Sequence, residues 1–307
     1  MTKMITLPDG TQSPHRTLAD GQACVVHVVD TDTGEIHEVF RTTDVLLEAP
    51  NWVDDTLILN GDGGLWQLSL ATRQLTELPV PGLPDLNNDH CVHPLEPTTL
   101  FVSCFDWHLY RVSLPSGTFE RVTADDPERP ILHFLHGVSP DGTELAFVGV
   151  EPGEGTIFGT ANIFTVPSAG GVIRQLTTGT SPADGPEYTP DGEWIYFNTE
   201  AFSTTPGHAQ IARMRRDGSE LTQLTFDDRV NWFPHFAPDA TRACYLSYPT
   251  GTTGHPADLD VELRLVADGD WERARTVASV FGGQGTINVN SWSADSRRFA
   301  FVSYPVG

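Results

Sequence analysis

The chain reads as an all-β protein: a six-bladed β-propeller of four-stranded antiparallel blades, closed by N-terminal strands that complete the last blade. Three observations predict it. One phrase recurs four times, as SPDGTELAFV from Ser139, TPDGEWIYFN from Thr189, APDATRACYL from Ala237 and SADSRRFAFV from Ser293. Its aspartate, at Asp141, Asp191, Asp239 and Asp295, returns after 50, 48 and then 56 residues. A period of about fifty residues marks a repeat fold, and propeller blades match it in length and content. Each phrase is a turn followed by an apolar run, and 28 glycines and 23 prolines in 307 residues suit short strands and turns. Finally, the two ends of the chain look like complementary parts of one blade.

The units can be followed in order. Asn51–Asp55 precedes TLILNG, GLWQLSL and QLTELPV; His93–Pro97 precedes TTLFVSC, WHLYRVSL and TFERVT. The third unit runs from about His133 through ELAFVGV, ANIFTVP and VIRQLT. The fourth runs from Gly185 through WIYFNT, AQIARMR and LTQLT, and the fifth from Phe233 through ACYLSY, VELRLV and ARTVAS. Each alternates β-branched and aromatic residues between turn-forming ones. The sixth stops at Gly307 after RRFAFVSY, while ACVVHVVDTDTG and EIHEVFRT, spanning residues 23–42, form a hairpin with no inner strand before it. Joining the ends completes the blade and removes open sheet edges. Residues 1–307 are therefore expected to be one domain, with 1–22 as an N-terminal extension.

Charge narrows the function. A formal net charge of −23 argues against nucleic acid and anionic membrane surfaces. It also disfavours a long polyanionic substrate. No apolar run reaches eighteen residues, and MTKMITLPDGTQSPHRT carries no apolar signal core, so a cytoplasmic location is expected. Cys24, Cys91, Cys104 and Cys244 show no CxxC spacing and read as reduced, buried thiols; spacing leaves open whether Cys91 and Cys104 face each other. DTDTGE, from Asp30, reads as a hairpin turn because its spacing departs from a calcium loop.

The PDG-and-strand phrase resembles the repeats of TolB-like propellers. The likeness covers about residues 85–304 and includes NNDH from Asn87, DGPEYTPDG from Asp184, NWFPH from Asn231, GHPAD from Gly254 and GGQGTINV from Gly282. It implies a six-bladed propeller, not the Tol–Pal envelope role. Oligogalacturonate lyases share the repeat, and HPLEPTTLFVSC from His93 looks like the His-Pro start of a lyase blade. In that family a divalent metal sits in the funnel on histidines and a glutamine. Here the family's paired histidines are absent and Gln284 stands alone in GGQGT.

The candidate site rests on position. Residues just before each PDG-type turn belong to the innermost strand, beside the channel. There stand Glu48 and Asn51; Asp89, His90 and His93; His133 and His136; Asp184 and Glu187; Asn231 and His235; Asn288 and Asn290. A generic core would place Val, Ile or Ala there, so six blades converge polar and imidazole groups on one funnel. His136, His235 and Glu187 are the candidate acid–base groups. His90, His136, His235 and Gln284 are the candidate ligands of one divalent metal, with Mn, Zn, Fe, Ni or Ca all open. Asn88, Asp89, Asn231, Trp232, His255, Arg264 and Asn288 are the candidate substrate contacts. Trp232 and Trp107 offer aromatic faces to a sugar ring, though large aromatics more often fill cores. Arg264 has a structural reading beside Glu262.

Two functions follow from these residues. One is an enzyme on a short saccharide or other small polar molecule: a metal-assisted lyase, or a hydrolase using Glu187 and an aspartate. The other is a non-catalytic propeller that binds a protein partner through its loops.

Overall fold

The computed structural model describes residues 4–153 and 158–307. Five blades are four-stranded antiparallel sheets, with inner strands Leu47–Val53, Leu86–Val92, Leu132–Val138, Ala183–Tyr188 and Val230–Phe236. The sixth pairs the C-terminal strand Arg298–Ser303 with Cys24–Asp30, followed by Ile36–Thr42. Its innermost segment is irregular. It is joined to Arg298–Ser303 by a bridge between Trp292 and Phe299 and by bonds such as Ala300 N to Ser291 O, 3.1 Å. The polar run around Asn288–Ser291 lies against the channel without a regular ladder. The chain enters through a small hairpin, Met4–Thr6 with Gln12–Pro14.

The repeated phrase earns its recurrence chemically. The Asp141 carboxylate accepts from Ser139 Oγ at 2.5 Å and Thr143 N at 3.0 Å; Asp295 accepts from Ser293 Oγ at 2.6 Å and Arg297 N at 3.1 Å. Each aspartate thus closes its own turn, as short acidic side chains do. The strand that follows is buried and packs its apolar face against the neighbouring blade. Phe101, Phe147, Phe197, Leu246 and Phe301 are each almost completely buried in this way.

The inner strands carry bulges, for example between Glu48 and Asn51, Asp184 and Glu187, and Trp232 and His235. Three are built alike. Ala49 (φ 52°), Gly185 (φ 63°) and Phe233 (φ 55°) adopt left-handed backbone, and each precedes a proline. The extra residue changes the side-chain alternation along the strand. Between blades three and four the approach is tight: a Cβ on Gly137 would lie 2.6 Å from the Pro186 carbonyl oxygen. The four cysteines are free and buried. Cys91 pairs across the sheet with Phe101 and Cys104 with Leu86, so the two thiols do not face each other.

The closing strand tests this account. Phe301→Ala removes a buried ring from the strand that joins the two ends. It is expected to cost about 3–5 kcal/mol by urea unfolding, as for other buried aromatics. A loss below 1 kcal/mol would contradict the dependence of the fold on that packing.

Candidate functional site

A cavity of about 390 Å³ opens at the mouth of the channel where the inner strands begin, here called the upper mouth. Its walls differ. Phe134, Val148, Val150 and Ala161 of blade three form an apolar side, continued by Phe105 and Phe158. The polar lining is Glu48, Asn60, Asn87, Asn88, Asp89, His136, Asp184, His255, Gln284 and Asn288, with His15 and Arg16 from the N-terminal segment. Inner strands supply the acids and His136. The ends of second strands supply Asn60 and Phe105, and the loops of blade five supply His255 and Gln284.

His136 is the hub of the polar wall. Its Nδ1 faces the Asn288 carbonyl at 3.2 Å and its Nε2 faces Asp184 Oδ1 at 3.3 Å, while its ring stacks on Phe233 at 5.5 Å. Burial alone would depress its pKa. The charge of Asp89 and the hydrogen bond and charge of Asp184 outweigh burial and raise it to about 9. Both ring nitrogens therefore act as donors near neutrality. Asp89 moves oppositely to an ordinary carboxyl: burial pushes it up to about 6, against the pull of His136. Burial also opposes the ionised form of Asp184, but the His136 contact prevails and holds its pKa low. His255 hydrogen-bonds the Gln284 side chain through Nδ1, and burial lowers its pKa.

The N-terminal segment completes the mouth. Arg16 Nη1 donates to Glu48 Oε1 at 2.7 Å and to the Gln284 carbonyl at 2.9 Å, and its Nη2 reaches Asp258 at 3.3 Å. The guanidinium also lies over the Tyr304 ring, 4.4 Å from its centre. Burial raises the Glu48 carboxyl despite that partner. His15 meets Phe105 edge-on at 5.1 Å.

Of the residues expected as acid–base groups, metal ligands or substrate contacts, the structure brings six together: Asn88, Asp89, His136, His255, Gln284 and Asn288. It places the others elsewhere. His235 and Glu187 form a saturated pair at the waist of the channel. His235 Nδ1 meets Glu187 Oε2 at 2.6 Å and its Nε2 donates to the Ile287 carbonyl at 2.5 Å, while Glu187 Oε1 accepts from Phe236 N and Asn290 Nδ2, both at 2.8 Å. Glu187 faces a second cavity, at the lower mouth. His90 points away from the funnel, toward the Ile58 carbonyl at 3.3 Å, because Asp89 takes the channel-facing register. Asn231 is held by Ser247 Oγ at 2.7 Å, Asp227 at 3.0 Å and Gln210 Oε1 at 3.4 Å, as a link between blades four and five. Trp232 is core, only 5% exposed, and backs His255 at 4.4 Å rather than offering a face. Trp107 packs edge-on against Phe134. Arg264 lies away from the funnel, beside Glu262 at 3.5 Å and donating to the Ala274 carbonyl at 2.5 Å.

The expected metal ligands are therefore not a set. His90 faces away, both nitrogens of His235 are engaged, and His136 spends Nε2 on Asp184. Among the described residues no three His, Cys, Asp or Glu side chains are gathered for a metal ion. Sequence reasoning passed over His15, Arg16, Asn60, Phe105 and Phe134. The first two lie in an extension outside the repeat, and no periodic signal marks them.

A closed six-bladed propeller with a polar cavity at one mouth is the class of protein that these features define. No family model matches the chain. It is 35% identical over 296 residues to an uncharacterized protein of Agrobacterium fabrum, covering 91% of this chain and 92% of that one. A solved TolB-type structure from Agrobacterium tumefaciens superposes with a TM-score of 0.82 at 32% identity, over 92% of this chain and 99% of the other. The chain belongs to the TolB-like β-propeller family. Oligogalacturonate lyase from Vibrio parahaemolyticus shares the fold, with a TM-score of 0.55 at 17% identity over 86% of this chain and 75% of that one.

His136 provides a direct test of the electrostatics. Because its folded pKa is raised above the ordinary 6.5, its contribution to stability is fully present below about pH 6.5 and is lost as pH rises through about 9. Histidine NMR titration should show an imidazolium persisting to about pH 9, with the midpoint falling in Asp184→Asn. A midpoint near 6.5 in the wild type would refute the arrangement.

Proposed function

We propose that the protein binds a short saccharide, or a polar metabolite of similar size, in the upper cavity and acts on it with Asp89 as proton acceptor. One observation carries this reading. Four buried polar atoms without a hydrogen-bond partner, His15 Nε2, Asn60 Oδ1, Asn87 Nδ2 and Asp89 Oδ1, belong to residues lining that single cavity. An unpaired buried polar atom costs about 1–3 kcal/mol, which a ligand of matching groups recovers. The cavity volume lies within the range of small-molecule sites.

The chemistry is that of a base beside a fixed cation. Asp89 carries a buried carboxylate oxygen without a hydrogen-bond partner and a pKa raised to about 6 by burial, so it exchanges a proton close to neutrality. Protonated His136 has both ring nitrogens engaged, by Asp184 and the Asn288 carbonyl, so it sets the charge around Asp89 without offering a free donor. The apolar wall of blade three matches the apolar face of a sugar ring. Proton transfer between Asp89 and a polar group of the bound molecule is the chemistry these groups favour. No step requires His235 or Glu187, whose polar atoms are already engaged.

The test is a calorimetric and turnover screen of mono- and disaccharides on the wild type and Asp89→Asn. We expect a binder whose turnover falls by about 10²–10⁴ in Asp89→Asn, the range for loss of a general base, with the melting temperature kept or raised. Binding without turnover in the wild type would leave a binding propeller and remove the catalytic role. No binder, or a binder whose affinity and turnover are unchanged by both Asp89→Asn and Asn60→Ala, would sink the cavity reading.

A further inference from the structure

The unpaired atoms also define the ligand's charge, an inference that rests on the upper cavity being the binding site. Their identities are fixed by the bonds their partner atoms make. Asn60 Nδ2 donates to Glu48 Oε2 at 3.4 Å, so the open atom is the amide oxygen, an acceptor. Asn87 Oδ1 accepts from Ser103 Oγ at 2.8 Å and Asp89 N at 2.9 Å, so its open atom is the amide nitrogen, a donor. His15 Nδ1 lies 3.2 Å from the Arg16 carbonyl, which only accepts, so Nδ1 carries a hydrogen. Asp89 Oδ1 is a carboxylate oxygen. Of the three unpaired atoms whose roles these bonds fix, Asn60 Oδ1 and Asp89 Oδ1 accept hydrogen bonds and Asn87 Nδ2 donates.

The charges agree with that count. Glu48, Asp89 and Asp184 line the cavity against Arg16 and His136. Both cations are already committed to carboxylates: Arg16 to Glu48 at 2.7 Å and Asp258 at 3.3 Å, His136 to Asp184 at 3.3 Å. Neither is left to receive an anionic ligand group. The Asp89 carboxylate has one oxygen open, and the apolar wall includes the rings of Phe105, Phe134 and Phe158, whose faces attract cations. A uronate would meet acceptors with acceptors and carboxylates with a carboxylate.

We infer that the upper cavity takes a protonated amine: a small molecule with an ammonium group directed at Asp89 Oδ1, a further donor toward Asn60 Oδ1, and an apolar body against the phenylalanine wall. Amino sugars and compact alicyclic amines both present this chemistry.

Two series of matched shape and different charge decide it by calorimetry at pH 7: 6-amino-6-deoxyglucose, glucose and glucuronate; and cyclohexylmethylamine, cyclohexylmethanol and cyclohexanecarboxylate. The amine of at least one series should bind tenfold or more tighter than its alcohol, with the carboxylate weakest. Asp89→Asn, isosteric and uncharged, should reduce that preference to about twofold or less. Asn60→Ala should weaken the amine while keeping the charge ranking, and it serves as the second variant if Asp89→Asn fails to fold. A preference below tenfold in both series, a carboxylate that matches its amine, or an amine preference that survives in Asp89→Asn overturns the inference. Binding by alcohols without charge preference would overturn it alone and leave the cavity reading standing. Failure of every probe to bind would overturn both.

Discussion

The pairing of Arg298–Ser303 with Cys24–Asp30 is the constraint on which the rest depends. It joins the two ends of the chain into one blade and turns a row of sheets into a closed ring. Without it, the first and last blades would each present an open edge and an uncovered apolar face. Closing so long a loop costs chain entropy, but that cost grows only logarithmically with length. Buried rings such as Phe299 and Phe301 on the closing strand offset it. Closure also decides the site. The chain must reach Cys24 from outside the ring, and its approach carries His15 and Arg16 across the upper mouth. Gln22 ties that approach down, donating to Asp258 at 2.7 Å and to the Tyr304 carbonyl at 3.1 Å.

Inside the ring, the bulged inner strands gather ionisable groups in a place with little water. Such groups survive burial when they are paired, and the pairings sort them into two kinds. At the waist, Glu187 and His235 satisfy one another and the backbone around them. At the upper mouth the network is incomplete. His136 is protonated by its two acidic neighbours, Arg16 is taken by Glu48 and Asp258, and Asp89 retains an open oxygen. The saturated pair rigidifies the channel; the unsaturated cluster is where a second molecule has something to gain. Residue types alone do not separate these two roles, since both places hold an imidazole beside a carboxylate.

The repeat was legible because it is local chemistry. An aspartate that accepts bonds from a residue two before it and another two after it closes its turn wherever it occurs, and the buried strand that follows reads as an apolar run. The sixth blade was legible because its two halves lay at opposite ends of the chain and fitted no other unit. Part of the site was legible too. Asp89, His136 and Asn288 stand out as polar residues where core is expected, and they do converge on the funnel.

What the sequence by itself determined is the fold, its closure and the polar character of the inner strands, since these follow from turn chemistry and strand pattern over a few residues. Only the tertiary structure decided which polar side chains share a cavity. A strand sends neighbouring residues to opposite sides, so Asp89 faces the channel while His90 faces blade one. A bulge changes that alternation, so Asp184 and Glu187, on one strand, serve different mouths. Arg16 joins the site from outside the repeat through the path of the chain. Position along an inner strand places a residue near the channel, but pairing register and the neighbouring blades determine whether its polar atoms are already spent or remain open to a ligand.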